Sequence, residues 1–204
     1  MEKIENIIFD LGGVLLDIDY NLTRKAFENL GVANFDEMYS QANADQLFQK
    51  LETGKISEPE FYKELNNATG LHLSESEIKN AWNAMLLSFR EESLEYLEHL
   101  KDRYRIYLLS NTNQIHLDSF YEIYHQKERA HSFEQCFNKA FYSFEIGLRK
   151  PDIDCYEWVL NDLQIDPQKS LFIDDSIKNI HGAKEARLQT LLLTPGKKIE
   201  TLGF

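Results

Sequence analysis

The stretch Ile7-Ile8-Phe9-Asp10-Leu11-Gly12-Gly13 decides how the chain is read. A short β-rich apolar run stops abruptly on a carboxylate and two glycines. An unbroken apolar run of strand length describes a strand buried on both faces, as in a parallel sheet, here delivering a polar loop at its C-terminal end. The same pattern recurs four times. Arg105–Leu109 ends at Ser110-Asn111, Lys139–Tyr142 at Ser143, Ser170–Ile173 at Asp174-Asp175, and Thr190–Leu193 at Thr194-Pro195. Helical patterns lie between these runs. Glu92 to Lys101 spaces Leu94, Leu97 and Leu100 on one side; Pro151 to Asp162 puts Pro at a helix start with Tyr156, Val159 and Leu160 inward; Ser176 to Ala186 follows the fourth run. Strands alternating with helices predict an α/β fold, a Rossmann-like, doubly wound parallel sheet.

Asn21 to Arg90 reads differently, with helical patterns and no convincing strand. Leu22, Ala26, Phe27 and Leu30 share a face, and Ser57-Glu58-Pro59-Glu60 and Ser74-Glu75-Ser76-Glu77 are helix starts with a serine N-cap. An inserted all-helical cap domain is expected at residues 19–90, with the Rossmann-like core formed by 1–18 and 91–204.

The 204 residues are 43% apolar and 12% aromatic, enough for a packed core and incompatible with wholesale disorder. Lys and Arg number 22 against 34 Asp and Glu, a net charge of −12. Such a surface repels phosphate backbones and anionic lipid, so neither a nucleic acid nor a membrane is expected as partner. Cys136 and Cys155 form no disulfide framework and no zinc spacing. The apolar stretch Ile7 to Leu16 is interrupted by Asp10 and lacks a cleavage site, so a cytoplasmic protein is the expectation. Oligomeric state is not legible.

In an open parallel sheet, ligands bind beyond the carboxyl ends of the strands. That rule gathers Asp10, Ser110, Asn111, Asp174 and Asp175 into one crevice, with Arg149-Lys150 supplied by a loop. Clustered carboxylates repel one another unless a cation joins them, and carboxylate and carbonyl oxygens are the ligands of Mg²⁺. A metal beside Lys150 would make a pocket for a phosphate dianion despite the acidic chain.

Four segments in order, IIFDLGGVLLDID (7–19), LLSNTN (108–113), GLRKP (147–151) and FIDDSIKNIHGA (172–183), resemble the four motifs of the haloacid dehalogenase superfamily of hydrolases, in its branch with a helical cap. Within it the first motif is similar to that of bacterial α-D-glucose-1-phosphate phosphatases. The resemblance implies a Mg²⁺-dependent phosphatase of a small phosphorylated metabolite, sugar 1-phosphates favoured, working through an aspartyl-phosphate. It assigns Asp10 as nucleophile and metal ligand, the Gly12 carbonyl and Asp175 as further ligands, and Asp174 as a ligand through water or as a brace. Ser110 and Asn111 would hold the phosphoryl oxygens, Lys150 would pair with phosphoryl group and nucleophile, and Ser176 and Asn179 would support the metal loop.

The pattern breaks at one place. These phosphatases usually carry a second aspartate two residues after the nucleophile as general acid and base, and this chain has Gly12. Losing such a group costs roughly 10²–10⁴ in rate, least where the leaving group departs easily as an anion. An anomeric hydroxyl or an acyl group is therefore favoured over a simple alcohol. The alternatives are a hydrolase of another activated substrate such as an acyl phosphate, and a binding or regulatory module with weak turnover. Asp17 and Asp19 are read as polar residues at the hinge before a proton source, the cap aromatics Phe61, Tyr62, Trp82 and Phe89 as cap core before substrate contacts, and His116, which follows the second motif and could touch a leaving group, as a surface histidine first.

Overall fold

The computed structural model describes residues 3–33, 35 and 42–204. Its central sheet has strands β1 (Asn6–Phe9), β4 (Arg105–Ser110), β5 (Lys139–Tyr142), β6 (Ser170–Asp174) and β7 (Gln189–Leu192), in the order β5-β4-β1-β6-β7. All neighbours are parallel, and β1 is central, pairing Phe9 with Leu108 on one side and with Ile173 on the other. Side chains alternate across this layer. Ile7, Phe9, Ile106 and Leu108 pack on helices α5 (Glu91–Lys101) and α6 (Gln114–His125). Ile8, Leu109 and Phe172 pack on α8 (Ile153–Leu163) and α9 (Ile177–Glu185). Both faces are covered, and for this reason the strands read as continuous apolar runs.

Helices α1 (Tyr20–Asn29), α2 (Ala42–Glu52), α3 (Glu58–Thr69) and α4 (Glu75–Asn83) form the insertion after β1. Ser57 and Ser74 each close a capping box with Glu60 and Glu77, and those reciprocal bonds hold the two glutamates below the usual carboxylate range. Phe27, Phe48, Phe61, Leu65, Ile78 and Trp82 make its own core, joined by Ile115 from α6.

Two local expectations fail. Residues 86–89 are not helical: β3 (Leu86–Phe89) pairs antiparallel with β2 (Leu16–Ile18), a two-stranded ribbon where the insertion leaves and rejoins the sheet domain. Four residues with two exposed ones in the middle carry no period-two signal, and the partner strand lies far off in sequence. Nor does α8 begin at Pro151. Its N-cap is Asp152, because the Lys150 backbone is held outside the helix by both ends of the Asn111 carboxamide, at 2.8 and 2.9 Å. The short helix α7 (Ser143–Ile146) follows β5. Among the described residues no helix is long and apolar enough to cross a membrane.

Candidate active site

The carboxyl edge of β1, β4 and β6 carries the polar cluster. The Asp10 N–H donates to the Ile173 carbonyl at 2.9 Å, so the ladder between β1 and β6 stays closed up to the carboxylates that follow each strand. Asp10, Asp174 and Asp175 each offer a carboxylate oxygen within 4.8 Å of the others. Lys150 enters from the loop before α8, and its Nζ donates to Asp10 Oδ1 at 2.7 Å and to Asp174 Oδ2 at 2.9 Å. Its side chain is 1% exposed, and an ammonium buried so completely persists only because two carboxylates face it.

The two adjacent aspartates are not equivalent. Asp174 is fully buried and its oxygens are engaged all round: by Lys150, by the Ser176 N–H at 2.7 Å, and by Asn179 Nδ2 at 3.0 and 3.1 Å. Ser176 thus braces Asp174 through its backbone. Asp175 is exposed, and among the described residues its carboxylate has no side-chain partner. The backbone at Gly13 runs so close that a Cβ there would lie 2.0 Å from Asp175 Oδ2, and Gly13 sits at φ +72°. Glycine therefore lets the loop after Asp10 close on Asp175.

Burial pushes Asp10 up to about 7; Lys150 opposes this and Asp174 adds to it. Asp175, open to the crevice but with its carboxylate packed on the Gly13 backbone, is raised by that partial burial and by Asp174. Burial also acts against the Lys150 charge, but Asp10 and Asp174 outweigh it and hold the ammonium above the ordinary lysine range. The Lys150 charge is therefore permanent at working pH, while the carboxylates set the balance. Ionised, three carboxylates against one ammonium leave two negative charges. A divalent, oxygen-loving cation fits that balance and that donor set, and Mg²⁺ meets both conditions.

These residues floor a crevice of about 300 Å³. Ser110 and Asn111 lie beside Asp10, and Asn111 spends its side chain on the Lys150 backbone. Gly12 also lines the crevice, and the atoms nearest to where a Cβ would stand belong to Ile18, the first of them 3.0 Å away. Position 12, where the motif pattern led one to expect a second aspartate, thus faces the apolar Ile18 of β2. Asp17 and Asp19 do not stand in. Asp17 pairs with Arg90 at 2.6 Å, Asp19 caps α1 by accepting from the Asn21 N–H at 2.9 Å, and neither lines the crevice.

Three contributors were not legible in the sequence. Arg90, at the end of β3, donates to the Gly13 and Val14 carbonyls at 2.7 and 3.1 Å while pairing with Asp17, so it clamps the loop after Asp10. Glu52 of α2 reaches Arg149 at 3.1 Å across the crevice mouth. At Gly54 a Cβ would stand 2.2 Å from the Phe144 carbonyl, so α2 seats its end directly on α7. His116 corrects the reading above: it is no surface histidine but 8% exposed, stacked on Trp82, and part of the crevice wall. Helix phase could have flagged it, since the apolar Phe120, four residues on, shares its face and is buried. Phe89 likewise packs in the sheet domain, against Tyr124 and Phe133, not in the cap.

A family model of haloacid dehalogenase-like hydrolases matches residues 4–187. The chain belongs to that family. This haloacid dehalogenase-like hydrolase is 34% identical over 187 residues to the D-ribitol-5-phosphate phosphatase of Bacteroides thetaiotaomicron, covering 92% of this chain and 90% of that protein. It is 29% identical over 191 residues to the sesquiterpene phosphatase astK of Aspergillus oryzae, covering 92% and 88%. A crystal structure of a family enzyme from Bacteroides thetaiotaomicron, in complex with magnesium and inorganic phosphate, superposes with a TM-score of 0.89 at 32% identity, covering 98% of this chain and all of that one.

Proposed function

We propose that this hydrolase is a Mg²⁺-dependent phosphatase that removes phosphate from a small sugar phosphate, a sugar 1-phosphate above others, with Asp10 as nucleophile. The observation that carries this reading is the cluster of Asp10, Asp174 and Asp175 around one buried lysine, with a deficit of two positive charges. The phosphatase relatives and the magnesium and phosphate in the similar structure support it.

Asp10, the Gly12 carbonyl and Asp175 would hold the metal, with Asp174 steadied by Asn179 and Ser176 behind it. The metal supplies the charge that offsets repulsion between carboxylate and phosphoryl group. Lys150 orients Asp10 Oδ1 and offers the same ammonium to the incoming phosphoryl oxygens; Ser110 and the Asn111 N–H complete that cradle. A carboxylate oxygen of Asp10 forms a bond to phosphorus as the bond from phosphorus to the leaving oxygen breaks with its electron pair. Water then attacks phosphorus, the Asp10–phosphorus bond breaks, and phosphate leaves.

With Ile18 against Gly12, no side chain protonates the leaving oxygen from that position. An anomeric oxygen departs more readily than an alkoxide, which favours the 1-phosphate. A crevice of about 300 Å³ suits a ligand of hexose-phosphate size. A second reading, a sugar-alcohol phosphate whose phosphoryl group is carried on a primary oxygen, is favoured by the ribitol-5-phosphate phosphatase relative. The core would comprise 1–18 and 91–204 and the cap 19–90, hinged at the β2–β3 ribbon and closing over the crevice.

A panel of phosphorylated metabolites with purified protein and Mg²⁺ tests this. α-D-Glucose 1-phosphate is expected to give a higher kcat/KM than simple alkyl phosphates. Clear preference for glycerol 3-phosphate overturns the sugar 1-phosphate reading, and preference for D-ribitol 5-phosphate establishes the second one.

A further inference from the structure

His116 lies in the first turn of α6, in the core, yet its ring is gripped by the insertion. It stacks on Trp82 at 5.0 Å and 9°, and Trp82 stacks in turn on Phe48 at 4.8 Å and 15°. Its Nδ1 is 2.8 Å from Asn83 Oδ1. An amide oxygen only accepts, so the proton sits on Nδ1 and Nε2 keeps its lone pair. Burial pushes the imidazole down to about 3, which keeps the ring neutral. Such a ring is no acid for the leaving group and does not replace the missing aspartate. Among the described residues Nε2 has no hydrogen-bond partner, and it is not among the sealed orphan atoms of the interior. With His116 in the crevice wall, that nitrogen is the edge left open to a ligand.

A fixed, neutral, acceptor-only nitrogen is complemented by a hydrogen-bond donor. Stack and amide together hold its direction, and a rigid acceptor discriminates where a mobile one does not. We infer that His116 Nε2 accepts a hydrogen bond from a hydroxyl of the substrate's leaving group, and so selects polyhydroxylated phosphates over apolar ones. This rests on the phosphatase reading above and adds a residue that chooses the leaving group. Asn83 is a positioning residue, fixing tautomer and ring plane.

The test compares one substrate with leaving-group hydroxyls and one without, in two variants. p-Nitrophenyl phosphate has none; the other probe is whichever of α-D-glucose 1-phosphate and D-ribitol 5-phosphate the unaltered protein cleaves faster. His116→Phe keeps a flat ring on Trp82 and removes the acceptor. Its kcat/KM on the hydroxylated probe is expected to fall about tenfold, the scale of one hydrogen bond, mainly through KM, with p-nitrophenyl phosphate little changed. His116→Gln restores an acceptor and is expected to recover part of the loss. Proportional losses on both probes in His116→Gln, or an unchanged ratio between probes in both variants, overturns the inference. The ranking of the two sugar phosphates by the unaltered protein judges the 1-phosphate reading separately, since the ratio is read on either one.

Discussion

Lys150 Nζ lies 2.7 Å from Asp10 Oδ1, with the lysine side chain 1% exposed and Asp174 closing the other side at 2.9 Å. One buried cation thus serves two carboxylates, and removing it leaves both uncompensated. Lys150→Met is expected to destabilise the metal-free protein by about 3–5 kcal/mol, read from urea titration in EDTA. Mg²⁺ should restore part of that loss. A change below 1 kcal/mol, on the order of a surface pair, would show that the pair contributes little.

Gly13→Ala tests the approach of the loop to Asp175. Its Cβ would fall 2.0 Å from Asp175 Oδ2, at a φ of +72° that L side chains avoid. The exposed carboxylate is the group that must move, so the fold survives and metal binding suffers. Calorimetric titration with Mg²⁺ is expected to show affinity weakened at least about tenfold; unaltered affinity would remove Asp175 from the ligand set.

Arg90 and Asp17 should behave unequally although they share a salt bridge. The Asp17 side chain is 44% exposed, so Asp17→Asn is expected to cost about 0.5 kcal/mol. Arg90→Ala also strips charged donors from the Gly13 and Val14 carbonyls and is expected to cost about 2 kcal/mol. A lower kcat should accompany it, because that loop carries Gly12 and Gly13. Equal denaturation midpoints for the two variants would contradict the clamp.

The carboxylate cluster makes stability depend on pH in a definite direction. In the metal-free protein Asp10 is held up to about 7 against an ordinary 3.8. Between those values the folded chain binds more protons than the unfolded chain. Stability is therefore full below about pH 4 as far as this group is concerned, and is lost as pH rises through 7, by at most about 1.4 kcal/mol per unit. Mg²⁺ offsets the repulsion that remains. The rise in Tm on adding Mg²⁺ is expected to be small near pH 5.5 and large near pH 8; a rise independent of pH would contradict this.

The sheet was legible because both its faces are buried: Ile7-Ile8-Phe9 and Leu108-Leu109 face opposite helix layers, and each run ends where chemistry begins. That the candidate residues at those ends would meet was legible for the same reason. Asp10, Ser110 and Asp174 are fixed by strand registers, and Lys150 by its loop before α8. What escaped depends on contacts between distant segments. β3 exists through pairing with β2, Glu52 matters through Arg149, and His116 through Trp82 and Asn83. No local period encodes such pairs. Distinct duties for Asp174 and Asp175 came only from the resemblance to the family motif; the physical basis, which of two adjacent carboxylates turns toward Lys150 and Asn179, is visible only in the fold.

With glycine at position 12, the covalent step proposed for Asp10 is open to direct observation. Without a base at that position, attack of water on the aspartyl-phosphate is slowed, while nitrophenolate leaves without an acid. Acid quench of the protein turning over ³²P-labelled p-nitrophenyl phosphate with Mg²⁺ is the decisive measurement. The account predicts a burst of nitrophenolate, with hydroxylamine-labile ³²P on the peptide containing Asp10, absent in EDTA and in Asp10→Asn. Undiminished turnover by Asp10→Asn, with no label retained by the unaltered protein, would contradict it.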